Sequence, residues 1–581
     1  MSVALNIVGL TAALAALYII MVQVGHNLSF NRAVPDSDRI YLTTWGGSFT
    51  EDGDYGPFIC RPMAEAIIAK TPGIEVGGHA LFHDLFNADT ECRIAPVNGT
   101  ISLPVHLAEL TTGGREVFGF ELIAGNWDDM TDNSRYALSE STARRLGLGV
   151  GESFKLCGAY WGLAVNVATV SVAAIYADPP RHSDLEKVDI FRNSDKDGLD
   201  QWSEWSSVYF VKLHEGVTPE EAEQQMNAAM HDLPSNEFTE KMDSTDIVRL
   251  INLRDTYFSD LSASVLAQGS RTTTWTLLGI ALLIVVIAFI NYVNFFFAQI
   301  PFRLREVNTR KIFGCSRGRL VAPFVGESVL MVLIAIGLAV LFVVGFNASP
   351  LPRLSDVPLA FNLNILPAVV TVAVALLISV VASLYPALYI TSFNPAFALK
   401  GTMGSVAKGR YFRTALIGFQ FAVSTILIIA AVFIHRQHAF MLDKDMGFDR
   451  ENILTVKTSW RIARAGNDLA NVLRSDADIV DVAWGNGDFI TDQRMTWQRE
   501  VEGKYYHWQC YPVSWNFLRF MGIEIVEGRD FLSSDEQSES GVFIFNEAAR
   551  DAFGLELGKS NVSGHVDAPA VPQGKAQSLG M

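Results

Sequence analysis

The sequence predicts a polytopic α-helical membrane protein, about five transmembrane helices joined to extracytoplasmic α+β domains. Three observations predict it. Five apolar runs, 3–24, 275–298, 321–346, 363–388 and 415–434, are each long enough to cross a hydrocarbon core, which takes about 20 residues. The shorter segments between some of these runs are basic, although the chain carries a formal net charge of -17. Two long segments mix strand-like and short helical patterns as a folded α+β domain does. Hydrophobic residues make up 49% and charged residues only 18%, a balance more apolar than that of a chain of soluble domains.

The first run has no Lys or Arg before it, is longer than the apolar region of a secretory signal and lacks a small-residue cleavage site, so it reads as a retained anchor. Between runs two and three stand Arg303, Arg305, Arg310, Lys311, Arg317 and Arg319 against the single acid Glu306. Between runs four and five stand Lys400, Lys408, Arg410 and Arg413 with no acid. Lys and Arg flanking spans favour the cytoplasmic side, which puts both segments and the N-terminus inside. The expected organisation is a first transmembrane helix over 1–24, an extracytoplasmic domain over 25–274, and a core over 275–400 holding helices two to four and a cytoplasmic hairpin at 300–320. A cytoplasmic linker and fifth helix follow over 401–434, then a second extracytoplasmic domain over 435–581.

Within the first outer segment, "DRIYLTTW" and "SSVYFVKL" are strand-like, and "RPMAEAIIAKTPG" is a short amphipathic helix stopped by Pro72 and Gly73. A second helix starts where Thr218 suits the N-cap, Pro219 the first helical position, and Glu220 and Glu221 the positive end of the dipole. An internal repeat is also present. "SESTARRLGLGVG" from Ser139 aligns with "NEAARDAFGLELG" from Asn546, "FELIAGNW" around Gly125 with "IEIVEGRDF" around Gly528, and "ALNIVGL" at Ala4 with "ALIGFQF" at Ala415. Residues 415–558 thus repeat 4–151. The first copy returns to the membrane through three more spans, whereas the second ends in a small, polar, Pro/Gly-rich tail. It is expected to be incomplete, and 450–581 the least ordered part of the chain.

The basic stretch "REVNTRKIFGCSRGRL" reads as the second span continuing as a helix past Pro301, with Leu304 and Val307 on one face, to a stop at Gly314. Ser316 then caps the helix that becomes span three. A basic helical hairpin at a membrane surface serves either as an anchor on anionic lipid or as a docking element for a cytoplasmic partner.

These residues carry a resemblance. "LREVNTRKIFGCSRGRLVAPFVGESVLMVLIA" resembles the segment after the second span of FtsX/MacB-type ABC transporter permeases, and "LYPALYITSFNPAFALKG" resembles the exit of their fourth span. "FQFAVSTILIIAAVFIHRQ" followed by "MGFDRENIL" is similar to the second-half opening of the long, two-copy members with MacB-like periplasmic core domains, of which this chain is expected to be a C-terminally shortened form. Asn308 and Thr309 replace the usual small apolar pair. The resemblance implies a permease subunit in the bacterial inner membrane that couples ATP hydrolysis by a separate cytoplasmic ABC ATPase to motion of its outer domains, for export or extraction of a substrate. The alternative it leaves open is an FtsX-like regulatory scaffold that activates an extracytoplasmic hydrolase without transport. It further implies that Arg305, Glu306, Arg310, Lys311, Gly314, Ser316 and Arg317 form the ATPase-coupling interface. Expected partners are that ATPase, a second permease chain or a second copy, membrane lipids and a periplasmic partner, and no nucleic acid.

No GxxxxGK[ST] loop occurs, "GTMGSVAKG" failing the spacing, so ATP is expected on the partner and no cofactor on this chain. With no nucleophile elbow, metal motif or acid/base pair, a membrane-anchored enzyme is disfavoured. Glu327 is a candidate intramembrane latch, holding the hairpin through Arg317 or Arg319, or else a carboxylate reaching to the interface. Asn291, Asn294 and Gln420 suit hydrogen bonds between spans. Cys60, Cys92, Cys157 and Cys510 are outside with no spacing that demands a bridge, Cys315 is a small filler, and His79, His83 and His106 read as surface residues.

Overall fold

The structure, a computed structural model, describes residues 2–46, 55–82, 92–97, 102–131, 134–160, 163–202, 204–233, 239, 247–259, 261, 266–349, 357–392, 407–449, 451–456, 466–485, 495–501, 504–538 and 542–554. It divides into two units, one formed by 1–29 with 269–444 and the other by 30–268 with 445–581.

The first unit is helical. Its helices are Ser2–Ser29, Arg271–Ile312, Arg317–Asn347, Ile365–Ser392 and Ala407–Asp443; four contain one of the expected runs, the fourth in order starts two residues inside its own, and each holds an apolar stretch long enough to span a bilayer. The first four enclose a core that includes Leu14, Tyr18, Tyr292, Phe296, Val332, Ala335 and Ala382. Small residues let these helices approach closely, and Ser328, Ser379 and Ser383 are fully buried among them. Polar ties cross the bundle: Asn27 Nδ2 donates to Thr274 Oγ1 at 2.9 Å, and the Tyr18 hydroxyl donates to the Leu359 carbonyl at 3.0 Å. The fifth helix packs on the second and buries Val423.

In the second unit, residues 30–268 form a single mixed sheet with short helices. The strands are β1 (Ile40–Gly46), β2 (Phe58–Ile59), β3 (Ile74–Phe82), β4 (Cys92–Pro96), β5 (Leu103–Val105), β6 (Leu107–Leu110), β7 (Leu122–Gly125), β8 (Arg135–Ser139), β9 (Ser153–Tyr160), β10 (Leu163–Tyr176), β11 (Ile190–Asn193), β12 (Ser207–Leu213) and β13 (Ile247–Asn252). They run in the order β13-β1-β12-β3-β6-β11-β8-β10-β9-β4-β5, with β2 on β12 and β7 on β10. The two stretches read as strands from sequence are antiparallel neighbours, Ile40 opposite Lys212. The helix Arg61–Ala69 forms where expected, and Pro219–His231 begins with a full capping box between Thr218 and Glu221.

Helix Thr112–Phe118 crosses β3 with backbone touching backbone. A β-carbon on Gly78 would lie 2.1 Å from the Gly114 nitrogen, one on Gly113 2.2 Å from the Gly77 carbonyl oxygen, and one on Gly114 2.2 Å from the His79 carbonyl oxygen. Thr111 Oγ1 accepts from both His79 N, at 3.0 Å, and Gly114 N, at 3.1 Å, so one hydroxyl pins strand and helix start together. His79 is therefore not a surface residue: it is 6% exposed, with Nδ1 3.0 Å from the Val208 carbonyl oxygen, because β3 is a central strand. His106 is exposed as expected, and His83 lies outside the described residues.

The repeat is visible in the backbone. Ser139 and Asn546 cap the helices Glu140–Leu146 and Glu547–Phe553 with their side chains, and both helices end on a left-handed glycine, Gly147 at φ 64 and Gly554 at φ 63. Gly125 and Gly528 match at φ 89 and φ 90. The described part of the second copy also holds a hairpin of β14 (Met495–Val501) and β15 (Lys504–Cys510) and the helices Gly466–Arg474 and Phe517–Phe520. The tail after 554 lies outside the described residues. All five cysteines are free thiols, and burial pushes Cys60 up to about 11, Cys92 up to about 12 and Cys510 up to about 11.

Candidate functional site

The helix Arg271–Ile312 runs unbroken for 42 residues with Pro301 inside it. At 1.5 Å per residue that is roughly 60 Å, about twice the hydrocarbon thickness. Its end has the double hydrogen bond of a Schellman stop: Gly314 N donates to the Lys311 carbonyl at 3.0 Å and Cys315 N to the Arg310 carbonyl at 3.1 Å. Gly314 sits at φ 83, a conformation costly for any residue with a β-carbon. Ser316 occupies the N-cap position of Arg317–Asn347 with extended backbone, and its carbonyl accepts the Leu320 amide at 3.1 Å. Its side chain makes no capping bond, contrary to expectation. The residue is exposed, so water can satisfy the first-turn amides.

The structure sorts the expected interface residues into two kinds. Arg310 and Arg317 are exposed at the turn beside Gly314 and Ser316, and so is Glu306, which pairs with Arg310 at 2.7 Å one helical turn away. Such an exposed pair is worth a few tenths of a kcal/mol, so it leaves Arg310 available. Lys311 points inward instead: Nζ donates to the Thr391 carbonyl at 2.9 Å, placing a cation on the last turn of the fourth helix where the dipole favours it. The side chains of Arg305 and Leu304 lie outside the described residues, and their backbone is helical. Val307 is buried in the bundle core with Leu320 and Phe324. Ile312 and Phe313, 61% and 85% exposed, add an apolar tip to the basic one.

Glu327 is paired across the hairpin, with neither Arg317 nor Arg319. Those two stand on its own helix more than two turns earlier, beyond side-chain reach along one face. Arg303 lies level with it on the antiparallel helix, at a similar chain distance on the other side of Gly314. The guanidinium takes both carboxylate oxygens, Nη1 to Oε2 at 2.5 Å and Nη2 to Oε1 at 2.7 Å, and lies 5.4 Å from the centre of the Phe324 ring. The next residue, Ser328, reaches both neighbours: its Oγ donates to the Ser379 carbonyl of the fourth helix at 2.9 Å, and its own carbonyl accepts the Tyr292 hydroxyl of the second at 3.1 Å. Adjacent residues of "GES" thus join the third helix to the second and the fourth. Replacing Glu327 by alanine is expected to strand a half-buried guanidinium and cost about 1–3 kcal/mol. Thermal unfolding in detergent should fall for the single variant, and an Arg303→Ala, Glu327→Ala double variant should recover part of the loss.

Sequence reading missed Arg303, Tyr292, Ser328 and Ser379. Arg303 was counted only as charge, and serines in an apolar run carry no local signal of a partner. The three amides read as interhelical glue, Asn291, Asn294 and Gln420, make no side-chain hydrogen bond among the described residues; the hydroxyls of Tyr292 and Ser328 tie helices there instead. Asn308 is 6% exposed and its amide atoms have no partner among the described residues, so the hairpin carries a buried polar group.

Residues 3–229 match the MacB-like periplasmic core domain, and residues 278–395 match the FtsX-like permease C-terminal domain. No curated protein matches the chain. Among solved structures, the periplasmic region of MacB from Actinobacillus actinomycetemcomitans is similar at 14% identity and a TM-score of 0.25, covering 39% of this chain and 94% of that one. The extracellular domain of the noncanonic ABC-type transporter YknZ from Gram-positive bacteria is similar at 8% identity and a TM-score of 0.26, covering 37% and 100%. Its two domain matches are those of the FtsX/MacB-type permeases, and the chain is a polytopic helical membrane protein with an extracytoplasmic α+β core domain.

Proposed function

We propose that this chain is the permease subunit of an ABC transporter in the bacterial inner membrane, with its N-terminus in the cytoplasm, and that it passes motion from a separate cytoplasmic ATPase to its extracytoplasmic domain. The observation that carries this is the helix Arg271–Ile312, one rigid element of roughly 60 Å that starts where the chain leaves the α+β domain and ends at an exposed basic turn. A continuous helix transmits displacement along its length without melting. Arg310 and Arg317 suit a partner surface rich in carboxylates, with which guanidinium forks pair bidentately. ATP binds the partner, and this chain supplies the lever. The Arg303–Glu327 fork and the Lys311–Thr391 bond support the reading because they fasten the turn to the third and fourth helices, so that a push on it moves the bundle.

The test is hydrogen exchange of the full chain reconstituted in lipid with its cognate ATPase. Exchange within 30–268 should change between nucleotide-free and ATP-bound states, and it should not change when the ATPase is omitted. Identical exchange in all conditions would remove the motion-passing role. A nucleotide response accompanied by activation of an extracytoplasmic hydrolase, with no substrate moved, would assign the regulatory-scaffold role instead.

A further inference from the structure

Residues 30–34 carry the chain from the first helix into the α+β domain, and residues 266–268 carry it back toward the second. A single loop, 181–186, holds both stems. Asp184 Oδ2 accepts from Asn31 Nδ2 at 2.8 Å, and its Oδ1 accepts from the Ala267 amide at 2.9 Å. These partners lie 153 and 83 residues away in sequence on opposite sides of Asp184. Asn31 is fully buried in a left-handed conformation, φ 59, which asparagine tolerates better than most residues. Its amide donates to the His182 carbonyl at 2.7 Å, its Oδ1 accepts the Asp184 amide at 3.0 Å, and its Nδ2 also reaches the Leu253 carbonyl at 3.0 Å and Thr256 Oγ1 at 3.2 Å. Val34, Leu185, Leu253 and Leu266 then pack in the same apolar cluster. Every donor facing the Asp184 carboxylate here is an N–H, a set that an ionised carboxylate satisfies on both oxygens and an amide side chain on only one.

We propose that Asp184 and Asn31 form a clamp that joins the two stems of the α+β domain, so that the chain leaving the first span and the chain entering the second move as one piece with the loop 181–186. The clamp belongs to the domain itself. Its use in passing motion rests on the permease reading, but its existence does not. The test therefore uses the full chain in detergent without ATPase or nucleotide, and reads hydrogen exchange, so its failure is distinct from failure of that reading. In Asp184→Asn and in Asn31→Asp, exchange in 30–34 and 266–268 should rise about tenfold or more, while β1 and β12 stay as in the native chain. Asp184→Asn keeps one acceptor oxygen and Asp184→Ala keeps neither, so the rise should be larger in Asp184→Ala. Unchanged exchange in the stems of Asp184→Asn or of Asn31→Asp would overturn the proposal. So would Asp184→Ala exchanging no faster there than Asp184→Asn, or a rise spread evenly across the sheet. Should Asp184→Ala fail to accumulate, the comparison of Asp184→Asn with the native chain decides.

Discussion

Replacing Gly78 by alanine is expected to destabilise the α+β domain by at least about 3 kcal/mol, at the upper end of what overpacking a core costs. The added methyl would sit 2.1 Å from the Gly114 nitrogen and 2.5 Å from the Gly113 carbonyl carbon, and these are backbone atoms with no rotamer to change. Neither partner can retreat cheaply. β3 is bonded on both sides, Phe210 opposite Gly78 on β12 and Ala80 opposite Leu110 on β6, and the helix start is pinned by Thr111 to His79. Moving the helix away would open the cluster that Val117 and Phe118 fill with Phe82 and Phe210. Gly149→Ala is the control, since a β-carbon there meets nothing nearer than 4.0 Å, and it should change stability by less than about 0.5 kcal/mol. Protease resistance of the full chain against temperature measures both. Equal resistance of the two variants would show that the helix crosses the strand with more room than the backbone contacts imply.

That crossing also marks the boundary between what local sequence reveals and what it hides. Thr218 followed by Pro219 and two glutamates announced its helix because a capping box is satisfied within four residues, and the same holds for Gly314 as a helix stop. The strands "DRIYLTTW" and "SSVYFVKL" were legible as strands, yet nothing local said that they pair with each other. The contacts that fix the site are all of this second sort. Arg303 finds Glu327 only once two helices are folded back at Gly314. Ser328 finds Ser379 only when the fourth helix is in place, and "GG" at 77–78 finds "GG" at 113–114 only when a helix is laid on a strand. His79 read as a surface residue because polarity was the only local signal. Its position between β12 and β6 decided otherwise. The role proposed for the basic hairpin came from the resemblance, whereas the division into outward-facing Arg310 and Arg317 and inward-tied Lys311 appears only once the fourth helix is packed beside the turn.

Reversing charge at Arg310 and Arg317 together is expected to lower recovery of the cognate ATPase with the solubilised chain by tenfold or more, while membrane insertion stays as it is. Insertion follows from the apolar spans, and Arg310 lies outside them while Arg317 is only the first residue of the third; Arg303, Arg305, Lys311 and Arg319 stay to hold orientation. Docking is expected to follow from charge presented at the turn, where like charge facing an acidic partner both slows encounter and leaves buried groups unpaired. The hairpin itself should survive. Arg310→Glu replaces an attractive pair with Glu306 by a repulsive one at the same spacing, a change of a few tenths of a kcal/mol, and the turn is held by the Gly314 stop, the Arg303–Glu327 fork and the Lys311–Thr391 bond. Lys311→Ala separates fastening from docking, because it removes that inward bond but none of the outward charge. It should therefore leave ATPase recovery nearly intact and weaken the coupling of ATP turnover to exchange in 30–268. Recovery should also fall with rising salt for the native chain, because exposed charges beyond roughly 8–10 Å are screened at physiological ionic strength. Unchanged recovery of the ATPase with the double reversal, together with weaker binding of the variant to anionic lipid, would return the hairpin to a membrane anchor and take from Arg310 and Arg317 the role proposed for them.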